Sequence, residues 1–285
     1  MLIDTHAHLY WEDYKQDLDE VLQRSLDAGV TTIINVGVDV EKSKIAAELE
    51  SDKIKLYSTI GIHPHEALRY TQGKLSDVDV SIHQDIEKLE DIYQSGTDKV
   101  VAVGECGLDY YFSTSEESKP TSEVSIIKNL QRRLFQAQIK LAKKLDLPLI
   151  VHCRDDRSQN SENSEAWDEI LKMVGTHPTI LHCYSGLSHT TNYVLQTTNL
   201  LVSFAATITY PKNEYLREAV KLLPLEKIVL ETDCPFLPPQ SKRGQRNEPA
   251  NIKEIAENIA DCKGLSLEEI SNQTTTNVKK LLKLS

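Results

Sequence analysis

The chain reads as an α/β protein, a (β/α)8 barrel of the TIM type, on three observations. Eight short β-rich runs alternate with longer stretches of helical periodicity over 285 residues. Most of those runs are nearly continuous and rich in Val and Ile, as in parallel strands buried on both faces. An open doubly wound sheet would carry a glycine-rich phosphate loop after its first strand, and this chain has Thr5-His6-Ala7-His8 there instead.

Taken in order, the strands are expected at 2–6, 31–37, 55–62, 100–105, 148–153, 179–183, 200–205 and 227–232. The first helix, 17–28, puts Leu18, Val21, Leu22 and Leu26 on one stripe. Residues 68–94 are long enough for a loop and a helix, and 130–145 line up Leu134, Ala137, Leu141 and Leu145. Two Ser- and charge-rich segments, 112–125 and 155–165, read as loops; both follow strands and so belong to the C-terminal rim of a barrel. No repeat and no linker divides the chain, so 1–285 is taken as one domain.

Composition narrows the function classes. No apolar run reaches the roughly 18 residues of a membrane helix. Met1-Leu2-Ile3-Asp4 has neither the basic nor the apolar region of a signal peptide, and five cysteines, an odd number, suit a reducing compartment. A cytoplasmic protein is expected, with no membrane and no stable protein partner implied. With 43 acidic against 32 basic residues the net charge is −11, which argues against coating a phosphate backbone. It leaves room for a nucleic acid end reaching into a local site.

The residues that carry chemistry share one position. His6 and His8 end the first strand, Glu105 the fourth, His152 the fifth and His182 the sixth; Asp233 follows the eighth. In a closed barrel those ends converge on one bowl. Four imidazoles and two carboxylates form a nitrogen/oxygen set suited to zinc, manganese or magnesium. Each residue alone is weak evidence, since a lone buried His is usually a hydrogen-bonded core residue. Six together, buried without a purpose, would each cost on the order of 1–3 kcal/mol. Cys106, Cys153, Cys183 and Cys234 directly follow four of these residues. If each strand persists through the pair, neighbouring side chains face opposite ways, and the thiols pack between sheet and helices instead of binding metal.

In order along the chain, Asp4-Thr5-His6-Ala7-His8, Gly61-Ile62-His63-Pro64-His65, Gly104-Glu105-Cys106-Gly107-Leu108-Asp109, Pro148-Leu149-Ile150-Val151-His152-Cys153-Arg154, His182-Cys183-Tyr184-Ser185-Gly186, Glu231-Thr232-Asp233-Cys234-Pro235 and Arg246-Asn247-Glu248-Pro249 resemble the TatD family of metal-dependent deoxyribonucleases, within the amidohydrolase-like hydrolases. The resemblance spans essentially the whole chain. It implies a barrel holding two divalent ions (Mg2+, Mn2+ or Zn2+), with His6, His8 and Asp233 on the first, Glu105 bridging, and His152 and His182 completing the second. It makes His63, His65, Arg154 and Arg246 candidates for holding substrate phosphate. The segments after Asp109 and Arg154 are longer and more serine-rich than the family pattern.

The expected function is hydrolysis of phosphodiester bonds by a water activated between two metals, with Glu105 keeping the ions close and Asp233 accepting the proton. The substrate would be single-stranded or frayed DNA ends, with RNA as a second possibility. A small-molecule amidohydrolase, esterase or phosphoesterase on the same site is the alternative, and a non-catalytic metal-loaded scaffold is the third reading. Lys242 and Arg243 join Arg246 beyond the eighth strand as a rim cluster or a solvated loop. Tyr110, Tyr111, Phe112 and Tyr184 would either stack bases or pack beneath the rim loops.

Overall fold

The computed structural model describes residues 1–72, 77–95, 98–111, 121–156 and 162–284. Its buried apolar runs pair into one parallel eight-stranded sheet whose spatial order is the chain order. The strands are β1 (Leu2–Ala7), β2 (Val30–Asn35), β3 (Lys55–Ile60), β4 (Val100–Asp109), β5 (Leu149–Arg154), β6 (Thr179–Leu181), β7 (Leu200–Phe204) and β8 (Ile228–Leu230). The ring closes between β8 and β1, where Asp233 N donates to His6 O at 2.8 Å and His8 N donates to Cys234 O at 2.9 Å. The intervening helices are α1 (Leu18–Asp27), α2 (Val40–Glu48), α3 (Val78–Gln94), α4 (Thr121–Leu145), α5 (Glu165–Val174), α6 (Ser188–Leu195) and α7 (Glu214–Leu222). Then come α8 (Ile252–Lys263) and α9 (Leu267–Leu281). Each crossover returns the chain to the same end, so all strand C-termini meet at one rim.

Two buried clusters hold the barrel together. The outer one lies between strands and helices and includes Trp167 of α5, which is fully buried. The inner one takes residues from every strand, among them Ile3, Ile34, Tyr57, Val101, Ile150, Ile180, Leu201 and Val229. Val278 and Leu282, from α9 and its C-terminal end, join this inner cluster and pack at its base. A capping box fixes the start of α9, with Ser266 Oγ accepting from Glu269 N and the Glu269 carboxylate accepting from Ser266 N.

All eight expected strands are present, most of their ends lying within two residues of expectation, and three ends bear on the site. β4 runs on past Glu105 to Asp109, because Gly107 sits at φ +138° against β5; a Cβ there would lie 2.0 Å from His152 O. β6 stops at Leu181, two residues before Cys183 turns to φ +41°, and β8 stops at Leu230, ahead of Asp233 at φ +56°. In the first expected loop, Thr121 onward is the start of α4, while 112–120 lie outside the described residues. In the second, 157–161 lie outside them, and Asp155 Oδ1 accepts from Ala166 N at the start of α5. Among the described residues no helix is long and apolar enough to cross a membrane.

Candidate metal centre

Glu105 is the hub of the C-terminal bowl. Its Oε2 lies 3.3 Å from His6 Nε2. Its Oε1 faces three more imidazoles: His152 Nδ1 at 2.9 Å, His63 Nε2 at 3.5 Å and His182 Nε2 at 3.6 Å. Asp233 approaches from the other side, with Oδ1 3.5 Å from His8 Nε2 and 3.8 Å from His6 Nε2. All of these side chains lie on barrel strands or in the few residues that follow them, so the barrel itself sets their spacing. Ligand atoms of His6, His8 and Glu105 lie within 4.8 Å of one another, as do those of His63, Glu105 and His152.

The donor set fits a divalent cation. His8 Nδ1 lies 3.0 Å from Val36 O, which can only accept, so Nδ1 carries a proton and Nε2 is left as the nitrogen that can exchange a proton for a metal. That Nε2 meets His6 Nε2 at 3.2 Å, and His6 Nδ1 is buried with no partner among the described residues. On the far side, His182 Nδ1 donates to Glu231 at 3.0 Å, leaving Nε2 as the nitrogen that can exchange a proton for a metal. Oriented imidazoles around carboxylates suit zinc, manganese or magnesium better than they suit a sealed core.

The charge states follow from these neighbours. Burial opposes the charged form of His182, but Glu231 and Glu105 prevail and raise it to about 10. Burial likewise opposes the charge on His152, yet hydrogen bonds to Asp109 and Glu105 lift it to about 9. His63 goes the other way, pushed down to about 4 chiefly by burial. His6 is lowered by burial and by the His182 ring stacked 3.6 Å away. Burial pushes Glu105 toward its neutral form, and the surrounding histidines overcome it and hold the carboxyl well below its ordinary value. Asp233 is held low in the same manner, with His8 the strongest stabilising partner. A cation here competes with protons on the imidazoles, so metal occupancy should fall with falling pH.

The bowl brings together nine of the ten expected residues. His6, His8, Glu105, His152, His182 and Asp233 form the cluster, and His63 joins it against Glu105. His65 is largely exposed and donates to Asp109 at 2.9 Å, while Arg154 lines the cavity with its guanidinium 3.8 Å over Tyr111. Arg246 lies apart from the cluster. Its guanidinium pairs with Asp17 at 2.7 Å and Glu248 at 2.8 Å and lies over Tyr14, so it braces α1 and does not line the bowl.

Cys106 and Cys234 are core residues, and Cys153 is buried in the same core while also bordering the cavity. Strand alternation does not reach Cys183, which lines the cavity and offers sulfur within 4.8 Å of ligand atoms of His182 and Asp233, because β6 has already ended. Of the rim aromatics, Tyr110 and Tyr184 are buried, Tyr111 is partly exposed, and Phe112 lies outside the described residues.

Three residues with no expected role shape the site. Asp109 accepts from His65 and His152, and Glu231 accepts from His182 and from Cys183 N at 2.7 Å. Asn247, fully buried, donates through Nδ2 to Thr232 O at 2.9 Å and Phe236 O at 2.7 Å, clamping the loop that carries Asp233. The available signal was spacing: Glu231 stands two residues before Asp233 and Asp109 four after Glu105. Glu231→Gln is expected to weaken metal binding about 10–100-fold, measured as the metal concentration giving half-maximal activity. An unchanged value would remove Glu231 from the site.

Comparison with known proteins bears on the same residues. A family model described as TatD related DNase matches residues 3–283. The chain is 35% identical over 288 residues to the "uncharacterized metal-dependent hydrolase YabD" of Bacillus subtilis (strain 168), covering 100% of both. It is 29% identical over 286 residues to the "3'-5' ssDNA/RNA exonuclease TatD" of Shigella flexneri serotype 5b (strain 8401), covering 98% of each. Among solved structures, the TatD homologue YjjV of Escherichia coli K12 superposes with a TM-score of 0.81 at 28% identity, covering 100% of this chain and 98% of that one.

Proposed function

The chain belongs to the TatD-related DNase family of metal-dependent hydrolases, and from that premise we propose that it hydrolyses phosphodiester bonds at the ends of single-stranded nucleic acid. The observation that carries the proposal is Glu105, one carboxylate facing four imidazoles within 3.6 Å. In this reading His6, His8 and Asp233 would hold one divalent ion and His152 and His182 a second, with Glu105 available to both and Mg2+, Mn2+ or Zn2+ as the ions. When bound, the ions would lower the pKa of water and set positive charge against the phosphate oxygens.

The chain's own groups do the rest. Asp233 orients the attacking water and accepts its proton on a carboxylate oxygen, which its depressed pKa keeps ionised. As the water oxygen bonds to phosphorus, the bond to the sugar oxygen breaks; that oxygen takes a proton from solvent and leaves as a hydroxyl, and Asp233 returns its proton to solvent. Arg154 suits a non-bridging oxygen because its planar fork presents paired donors. His63 and His65 stand beside it, His65 held by Asp109. The exonuclease name of the Shigella relative supports action on ends, running 3' to 5', on both DNA and RNA.

The test is a panel of end-labelled single-stranded DNA, single-stranded RNA, blunt duplex and chromogenic carboxylic esters. It is run on metal-loaded protein with and without chelator. Release of mononucleotides from single strands, abolished by chelation, is the expected result. Metal-dependent ester or amide hydrolysis with every nucleic acid left intact would replace this reading with the small-molecule one.

A further inference from the structure

We propose that Phe236, backed by Trp11, is a platform on which an unpaired nucleobase stacks beside the phosphate held in the bowl. The proposal rests on the phosphodiesterase reading for the phosphate, and it adds a second recognition element that the donor cluster does not supply.

Phe236 is 47% exposed, yet its backbone is pinned on both sides. Its N donates to Asp233 O at 2.9 Å, and its O accepts from Asn247 Nδ2 at 2.7 Å. The next residue, Leu237, is held at φ +51°, a conformation a branched side chain adopts only when its surroundings impose it. An exposed ring on an ordered backbone has lost much of its freedom before a ligand arrives, which lowers the entropy cost of binding.

The ring also has company. It meets His8 at 6.0 Å and 68°, and Trp11 at 5.9 Å and 80°; Tyr10 stacks on Trp11 at 6.0 Å and 26°. No aromatic ring among the described residues lies parallel to Phe236. Phe236, Trp11 and Leu237 line the same cavity of about 660 Å³ as His8, Glu105 and Asp233. A flat ligand on this wall would therefore sit one side chain away from the group held at His8.

Charge points the same way. Among the described residues, Arg154 is the sole Lys or Arg lining the cavity, in a chain of net charge −11. Phosphates other than the reacting one find little positive charge, so a π-face is the available source of further affinity. Stacking on an aromatic side chain is worth about five- to 150-fold per base, and it requires a face that a base inside a duplex does not present.

The protein carries its own reporter. It has two tryptophans, and Trp167 is fully buried in the outer core, so a ligand at the bowl should perturb the emission of Trp11. Metal-loaded protein is titrated with thymidine 5'-monophosphate and with its base-less counterpart, deoxyribose 5-phosphate. We expect the nucleotide to bind at least about fivefold more tightly. Phe236→Leu should bring it to the sugar phosphate's affinity while leaving the sugar phosphate unchanged. Equal affinities in the native protein, or equal weakening of both ligands by Phe236→Leu, would overturn the platform. Because the titration needs no turnover, the two readings separate. Base-dependent binding without cleavage of any nucleic acid sinks the nuclease alone, and cleavage without base-dependent binding sinks the platform alone.

Discussion

Asp233→Asn should leave the barrel folded and lower hydrolysis about 10²–10⁴-fold, the usual contribution of a positioned acid or base. The substitution is nearly isosteric. Asp233 occupies φ +56°, and Asn is among the few residues that tolerate this region, so the backbone has no reason to move. Asn247 still holds Thr232 O and Phe236 O on either side. What disappears is the carboxylate that faces His6 and His8 and is kept ionised by them. An amide cannot take a proton from water at neutral pH. The variant's kcat at saturating metal, read beside its melting temperature, decides the matter. Turnover near that of the native protein with metal bound would remove Asp233 from proton transfer.

Glu105→Gln should do something different, namely uncouple metal from stability. A ligand present at about 100 times its dissociation constant stabilises the native state by about 2.7 kcal/mol. For a chain of this size that corresponds to roughly 5–10 °C in melting temperature. The native protein should therefore lose about that much on chelation. In Glu105→Gln the carboxylate common to His6, His63, His152 and His182 is gone, and a neutral amide cannot hold two cations near each other. Chelation should then shift its melting temperature little, metal content per chain should fall, and activity should reach background. A variant that retained the native metal content and chelation shift would show that Glu105 is not the hub.

The barrel and most of the bowl were legible because both follow from one-dimensional patterns. Buried parallel strands read as apolar runs, and ligand-type residues at their ends stand out against them. His6, His8, Glu105, His152, His182 and Asp233 all announce themselves this way. Residues whose roles depend on a partner elsewhere in the chain do not. Arg246 looks like a phosphate ligand until Asp17, on the approach to α1, is seen to pair with it. Glu231 and Asp109 look like ordinary strand-end carboxylates until His182 and His152 are found against them. Cys183 escaped because alternation was extended past the point where β6 ends, and a positive φ two residues later breaks the rule. Asn247 is the furthest from sequence logic, since what it clamps is backbone.

The seam between β1 and β8 has a consequence for synthesis. The bowl's two halves are joined by Thr232, whose N and Oγ1 donate to Asp4 at 2.9 and 2.5 Å, across 228 positions of chain. A ribosome therefore releases the first donors, His6 and His8, long before Asp233 has been made. For most of translation the emerging polypeptide carries an incomplete ligand set and an open sheet edge. The donor set is therefore complete only once the eighth strand has been made. Any polypeptide cut short before the eighth strand would be an unclosed ring without Asp233.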